Sequence, residues 1–320
     1  MTSPGGSNEE EFNALFELFG NETRRKIIQA LWEQFEFQAY VTESRDGVQF
    51  GELRKRAGVR DSGNFNYHLK KLEEVLVRKK GDGYVLTPLG YNLMRSIARL
   101  TTFEYDVRAE QPIDESCPYC DGTLTAEYRR EILSIRCQDC DGLAAGGRFT
   151  SIEIPATAGE GLEFTELVDR ATLSMFSKLR KAHHGICWDC LHTMDSTVVI
   201  CPNHERGPDG ACTHCDHRYE SLIEVSCSRC GTAGKGPLIE YALIHPAALN
   251  FFEQFDADPT TAGSWEYRLQ ALSCGTETVV GTDPKTTEFS FELGDETLWI
   301  TVQDTEDGLV LSAESTLSIP

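Results

Sequence analysis

The chain has 320 residues, 40% of them hydrophobic, and a formal net charge of −21 from 30 basic and 51 acidic side chains. That length allows two or three packed domains, and no apolar run approaches the roughly 18 residues a membrane-spanning helix needs. The opening MTSPGGSNEEEF has neither the basic region nor the apolar stretch of a secretory signal, so the expected location is the cytoplasm.

The acidity is strong and lysine is scarce, as expected of a protein kept soluble in a salt-rich cytoplasm such as that of halophilic archaea. One window departs from it. Residues 45–80 hold ten basic and five acidic side chains, a basic island in an acidic chain. A polyanion is the partner that such an island implies.

In chain order, Phe12, Leu15, Phe16 and Phe19 recur at helical spacing and Gly20 ends that helix. Asn21 can cap a second helix with the apolar face Ile27, Ile28, Leu31 and Trp32. VQFGELRKRAG predicts a short strand and a short helix that stops at Gly58. Asp61 or Ser62 then caps SGNFNYHLKKLEEVL, with Phe65, Leu69, Leu72 and Leu76 inward. His68, beside Leu69, reads as a packed or capping residue. VRKKGDGYVLTP predicts a hairpin turning at Gly81-Asp82-Gly83. Thr87 and Pro88 open a last helix with the stripe Leu89, Leu93, Ile97 and Leu100.

This order is that of a winged helix-turn-helix. LFGNETRRKIIQAL, GELRKRAGVRDSGNFNYHLKKLEE and GDGYVLTPLGYNLM resemble the ArsR-like winged-helix transcription regulators, especially those of halophilic archaea, over roughly residues 10–105. The resemblance implies a homodimer on double-stranded DNA with the second helix of the motif in the major groove. On that helix Asn64, Asn66 and Tyr67 would face base edges, where asparagine suits adenine, and Ser62 would also contact the DNA. Arg60, Lys70 and Lys71 would hold phosphates, and the wing residues Arg78, Lys79 and Lys80 would follow the backbone or enter a minor groove. The founding members of the family sense metals through cysteines near this helix. Residues 1–116 contain no cysteine, so that route is closed here.

All twelve cysteines come later, where a reducing compartment favours metal ligation over disulfides. Cys117, Cys120, Cys137 and Cys140 form two Cys-x2-Cys knuckles around TLTAEYRREILSIR, which reads as two strands: the spacing of a four-thiolate zinc ribbon. Cys212, Cys215, Cys227 and Cys230 repeat the pattern around SLIEVS. Cys187 and Cys190 are left with Cys201 and His204, a Cys3His set; His192, His214 and His217 read as loop residues. An interleaved arrangement, Cys187 and Cys190 sharing an ion with Cys212 and Cys215, uses the same residues, and fewer ions than three are also compatible. Only Cys274 is spare, a core residue by its surroundings. Few large apolar side chains lie in these segments, so Zn2+, up to three ions, would be structural and supply folding free energy. Complete four-ligand sets leave no open position for catalysis, and no phosphate loop or nucleophile triad appears, so no enzyme is expected.

LEFTELVDRATLSMFSKLRKA predicts an amphipathic helix with Phe164, Leu167, Val168, Ala171, Met175 and Leu179 on one face; it could join the ribbons or form a dimer seam, and burial within the monomer is the expectation. HPAALNFFEQFD begins another helix at Pro246. EYRLQALS, TETVVGT, TTEFSFEL, ETLWITVQ and LVLSAE alternate as strands of a small antiparallel sheet. The expected architecture is multi-domain α+β: a winged helix-turn-helix over 1–105, a zinc ribbon over 111–158, a linking helix over 159–183, a second zinc module over 184–236, and a C-terminal sheet with helix over 237–320. The function expected is DNA-binding transcription regulation, with a partner or effector at the C-terminal domain. The alternatives are a protein-docking adaptor of the transcription machinery and a thiol/zinc redox-responsive regulator.

Overall fold

A computed structural model describes residues 9–33, 47–73, 75–101, 108–155, 158, 161–255 and 263–316. The fold is α+β, with nine helices and four antiparallel sheets among the described residues. It divides into two compact units, one of residues 6–104 and one built on residues 105–320.

The first unit runs α1 (Glu9–Gly20), α2 (Glu22–Trp32), β1 (Val48–Gln49), α3 (Phe50–Arg56), α4 (Ser62–Leu72), β2 (Val77–Lys80), β3 (Gly83–Leu86) and α5 (Pro88–Thr101). Asn21 caps α2 by accepting the N–H groups of Thr23 and Arg24, and Asp61 caps α4 by accepting from Asn64 at 2.6 Å. Ile27, Ile28, Leu31, Leu53, Phe65, Leu69 and Leu72 form the core, with Trp32 packed on it. Phe16 is 63% exposed, off the expected apolar face, and the side chains of Phe12, Leu15 and Leu100 lie outside the described residues. The helix expected to run to residue 76 ends at Leu72, because Glu73 is extended (ψ 146°). Leu76 still reaches the core, its carbonyl accepting from Thr87 N–H at 2.9 Å. Gly90 lies so close that a Cβ there would sit 2.3 Å from that carbonyl oxygen. The sheet order is β1-β3-β2, with a two-residue turn between Lys80 and Gly83.

The second unit opens with a four-stranded sheet, β4 (Arg108–Ser116), β5 (Thr123–Arg129), β6 (Ile132–Cys137) and β7 (Arg148–Glu153), in sequential order. Helix α6 (Phe164–His183) follows, then a three-stranded sheet of β8 (Asp195–Ile200), β9 (Ser221–Ser226) and β10 (Ala233–Pro237) in the order β10-β9-β8. The chain ends with α7 (Leu238–Ala242), α8 (Pro246–Glu253), α9 (Ser264–Cys274) and a meander of β11 (Gly275–Thr282), β12 (Lys285–Leu293), β13 (Glu296–Thr305) and β14 (Gly308–Ser315). Segments that the sequence divides at 158, 183 and 236 share one core here, from Leu133 and Ile135 through Leu167, Val198 and Tyr241 to Phe289 and Ile300. Helix α6 sits within it: Phe164, Leu167, Val168 and Ala171 are buried, and α9, β4, β7 and β8 all pack on it.

EYRLQALS is not a strand. It lies in α9, where Tyr267, Arg268, Leu269, Ala271 and Leu272 are all buried. A helix covered on most sides has no clean 3.6-residue stripe, and Tyr267, Leu269 and Ala271 imitate a period of two. A buried ion pair anchors it. The Arg268 guanidinium donates to Glu240 of α7 from both Nε and Nη2, and Nη2 also reaches the Phe149 carbonyl of β7 at 3.1 Å.

Candidate metal centres and nucleic-acid face

The thiols and His204 converge as three tetrads: Cys117, Cys120, Cys137 and Cys140; Cys187, Cys190, Cys227 and Cys230; and Cys201, His204, Cys212 and Cys215. Within each, one ligand atom per residue lies within 4.8 Å of all the others. The Sγ–Sγ separations are 3.6 Å for Cys117–Cys140, 3.5 Å for Cys120–Cys137, and 3.6 Å for both Cys187–Cys230 and Cys190–Cys227. A disulfide needs about 2.05 Å. A tetrahedron with metal–sulfur bonds of about 2.3 Å has edges of about 3.8 Å. The thiols are therefore free and spaced to close around a small ion.

The ligands are those expected, but the pairing is neither the sequential nor the interleaved one. It is nested, and strand pairing imposes it. β8 and β9 form an antiparallel hairpin with Asp195 opposite Ser226 and Ile200 opposite Ser221. The knuckle before β8 (Cys187, Cys190) therefore meets the knuckle after β9 (Cys227, Cys230). The loop between the strands keeps Cys201, His204, Cys212 and Cys215 for itself. The chain thus carries two ribbons, the second with a Cys3His knuckle inserted between its strands. The signal was DSTVVI, a strand standing before Cys201.

Four of the six ligand pairs use one backbone turn. In the pairs starting at Cys117, Cys187, Cys212 and Cys227, the first cysteine's carbonyl accepts from the residue after the second cysteine, at 2.9, 3.0, 2.9 and 3.0 Å. That residue has positive φ: Asp121 (57°), Leu191 (61°), Asp216 (60°) and Gly231 (77°). The turn aims amide groups at sulfur, as with Tyr119 N–H to Cys117 Sγ and His214 N–H to Cys212 Sγ. The effect is a charged thiolate at low cost. Burial pushes the Cys212 thiol up, but the N–H groups of His214, Cys215 and Glu205 outweigh it and bring it down to about 7. Hydrogen bonding with Thr232 brings Cys230 to about 6. Against the His192 N–H, desolvation and three neighbouring thiols carry Cys190 up to about 12.

The histidine fits as well. His204 Nε2 lies 3.1 Å from the Arg218 carbonyl, which only accepts, so Nε2 carries the proton. Nδ1 keeps its lone pair and faces Cys215 Sγ at 3.7 Å. Metal-binding histidines are commonly oriented by such a carbonyl. Arg218 serves a second centre too: its guanidinium lies 3.9 Å from the Tyr119 ring centre, donates from Nε to the Gly142 carbonyl, and sits 4.0 Å from Cys140 Sγ. Tyr119 and Tyr219 meet through their hydroxyls at 3.2 Å. Sequence spacing gave no sign of this arginine or of the tyrosine pair. His217 lines a cleft rather than a metal set, and burial pushes the thiol of half-buried Cys274 up to about 11.

In the first unit, α4 buries Phe65, His68, Leu69 and Leu72 and exposes Ser62, Asn64, Asn66, Tyr67, Lys70 and Lys71. Tyr67 is 58% exposed. Arg60 is exposed just before the helix; on the hairpin Arg78 and Lys79 are exposed and Lys80 half-buried. Among the described residues, none of these cations has a carboxylate within 4 Å. His68 is packed, and burial lowers its pKa.

The chain is thus an α+β protein with three sets of thiolate and imidazole ligands placed to hold metal ions, and no described helix is long and apolar enough to cross a membrane. Residues 114–307 match the family described as a domain of unknown function (DUF7351), and the chain belongs to that family. Residues 12–97 match a second domain of unknown function (DUF7347). The two matches fall inside the two compact units. No curated protein and no solved structure matches the chain.

Proposed function

We propose that the protein is a sequence-specific, DNA-binding transcription regulator of the ArsR-like winged-helix kind, acting as a dimer, with Zn2+ in all three tetrads. The observation that carries the reading is α4: one side is sealed into the core, while the other offers two asparagines, a tyrosine and two lysines to solvent. α3 and α4 then form the helix-turn-helix, and the β2–β3 hairpin is a wing carrying Arg78, Lys79 and Lys80. Asn64, Asn66 and Tyr67 read base edges in the major groove; Lys70, Lys71, Arg60 and the wing hold phosphates. Leu89 (55% exposed) and Ile97 (38%) lie two turns apart on α5 and supply an apolar seam for a dimer.

Zinc suits closed sets of four thiolates or three thiolates and an imidazole, in a cytoplasm reducing enough to keep the thiols free. With every ligand position filled, the ions are structural. They hold the knuckles that the small local core cannot hold alone.

The test is in vitro selection from random duplex DNA with the purified full chain in molar KCl. The expected product is an inverted repeat with half-sites about one helical turn (~10 base pairs) apart. Failure to enrich any sequence, with the metal intact, replaces this reading with that of a protein-docking adaptor.

A further inference from the structure

Both ribbons of the second unit open onto one cleft of about 690 Å3, within the range of ligand sites. Its walls include consecutive residues of two strands, 149–153 of β7 and 233–237 of β10. Side chains on one face of a strand recur at every second residue. An unbroken run means that the strand turns its edge, with its backbone groups, to the cleft.

Both strands are sheet edges. In β7, the Ile154 N–H bonds back to Glu131, whereas the Phe149 carbonyl points away from β6 to Arg268. Alternation along an antiparallel strand then turns the backbone groups of Ser151 and Glu153 outward. In β10, the Thr232 carbonyl accepts from Cys227 N–H inside the hairpin, which leaves Ala233 and Lys235 outward. Among the described residues no backbone group meets these four from outside. The other edge of the same ribbon sheet is covered: on β8, Asp304 accepts the Val198 N–H and the Thr197 hydroxyl, both at 2.9 Å. Open edges are ordinarily blocked, so two facing one cleft form a template for a further strand.

The charge in the cleft specifies the occupant. Arg148, Lys178 and Lys235 line it in a chain of net charge −21. Arg148 and Lys178 have no carboxylate partner among the described residues, whereas Lys235 is ion-paired with Glu224 at 2.8 Å. Of the three acids lining it, Glu240 is committed to Arg268 and Asp189 is hydrogen-bonded to the Thr232 hydroxyl, which leaves Glu153 against the two unpaired cations. Trp188, Ile223 and Val225 add apolar surface.

We propose that the cleft binds an extended, acidic peptide segment of a partner protein, which pairs its backbone with the open edges of β7 and β10 and sets its carboxylates against Arg148 and Lys178. This inference does not rest on the DNA-binding reading. The probe is a phage-displayed library of random nonapeptides, selected on the full chain. Enriched sequences should be rich in Asp and Glu, and Arg148→Glu with Lys178→Glu should weaken them at least tenfold. Ser151→Pro with Ala233→Pro removes two outward N–H groups at edge positions that accept proline; it should abolish binding while metal content stays unchanged. Independently of any variant, N-methylating alternate peptide residues should weaken binding to the unaltered protein in both registers, because one set of N–H groups faces β7 and the other β10. No enrichment over bare support, enriched peptides without acidic bias, or full binding by either N-methylated form would each overturn the proposal.

Discussion

Nested pairing predicts a pattern of metal loss that no other pairing gives. Cys190, Cys230 and Cys212 each belong to a tetrad, and the first two share one. Cys190 and Cys230 are solvent-exposed, so replacing them by serine disturbs little packing. A structural zinc site has an apparent binding free energy of about 10–16 kcal/mol at neutral pH, comparable with or above the ~5–15 kcal/mol net stability of a folded protein. Losing one of four ligands should therefore cost the ion and locally unfold its knuckles. Three ions in the unaltered chain become two in Cys190→Ser and two in Cys230→Ser. The Cys190→Ser/Cys230→Ser double variant still holds two, because both changes strike one site, and the losses are fully non-additive. Cys190→Ser/Cys212→Ser holds one. Native mass spectrometry with elemental analysis reads the count directly. The reverse outcome, two ions in Cys190→Ser/Cys212→Ser and one in Cys190→Ser/Cys230→Ser, would refute the strand-pairing argument and restore the interleaved arrangement.

Arg218→Ala removes the guanidinium beside Cys140 but keeps the carbonyl that orients His204, so it should speed metal release to a chelator about 10–100-fold from the Cys117–Cys140 tetrad alone. The Cys187–Cys230 tetrad is the internal control, and equal release from all three would exclude this role. Glu240→Ala strands the buried Arg268 charge and should cost about 3–5 kcal/mol in denaturant unfolding. Glu240→Leu with Arg268→Met should cost far less, and a larger loss in the double variant would contradict the account. Asn66→Ala should relax sequence preference in selected DNA, whereas Lys79→Ala should weaken all duplexes alike; phosphate contacts already fade where the Debye length is only ~3 Å, near 1 M salt. Burial, chiefly, holds the His183 pKa below 6.5, and His183 Nδ1 lies 2.7 Å from the Tyr241 hydroxyl. A depressed folded pKa gives stability that is present above 6.5 and lost as pH falls through the folded value. His183→Gln should remove that part of the slope in Tm between neutral pH and about pH 5, and an unchanged slope would exclude it.

The local elements of the first unit were legible because each rests on residues close in sequence. Asn21 and Asp61 cap, Gly58 stops a helix at positive φ, and GDG turns a hairpin. The metal ligands were legible for the same reason: two-residue gaps mark knuckles whatever surrounds them, and His204 announced itself by repeating the gap after Cys201. What the sequence could not decide is which knuckles meet. That depends on β8 pairing with β9 across the insertion of residues 201–220, and spacing says nothing about closing a long loop. The same limit explains α9, whose helical state comes from burial against α6 and β12 and the Arg268–Glu240 pair, not from its own periodicity. It explains Arg218 too, which becomes a support of two centres only once the inserted knuckle docks on the first ribbon. Sequence alone determined the chemistry of the ligands and the turns that present them. Tertiary structure decided how they combine, because pairing and burial depend on contacts between residues far apart along the chain.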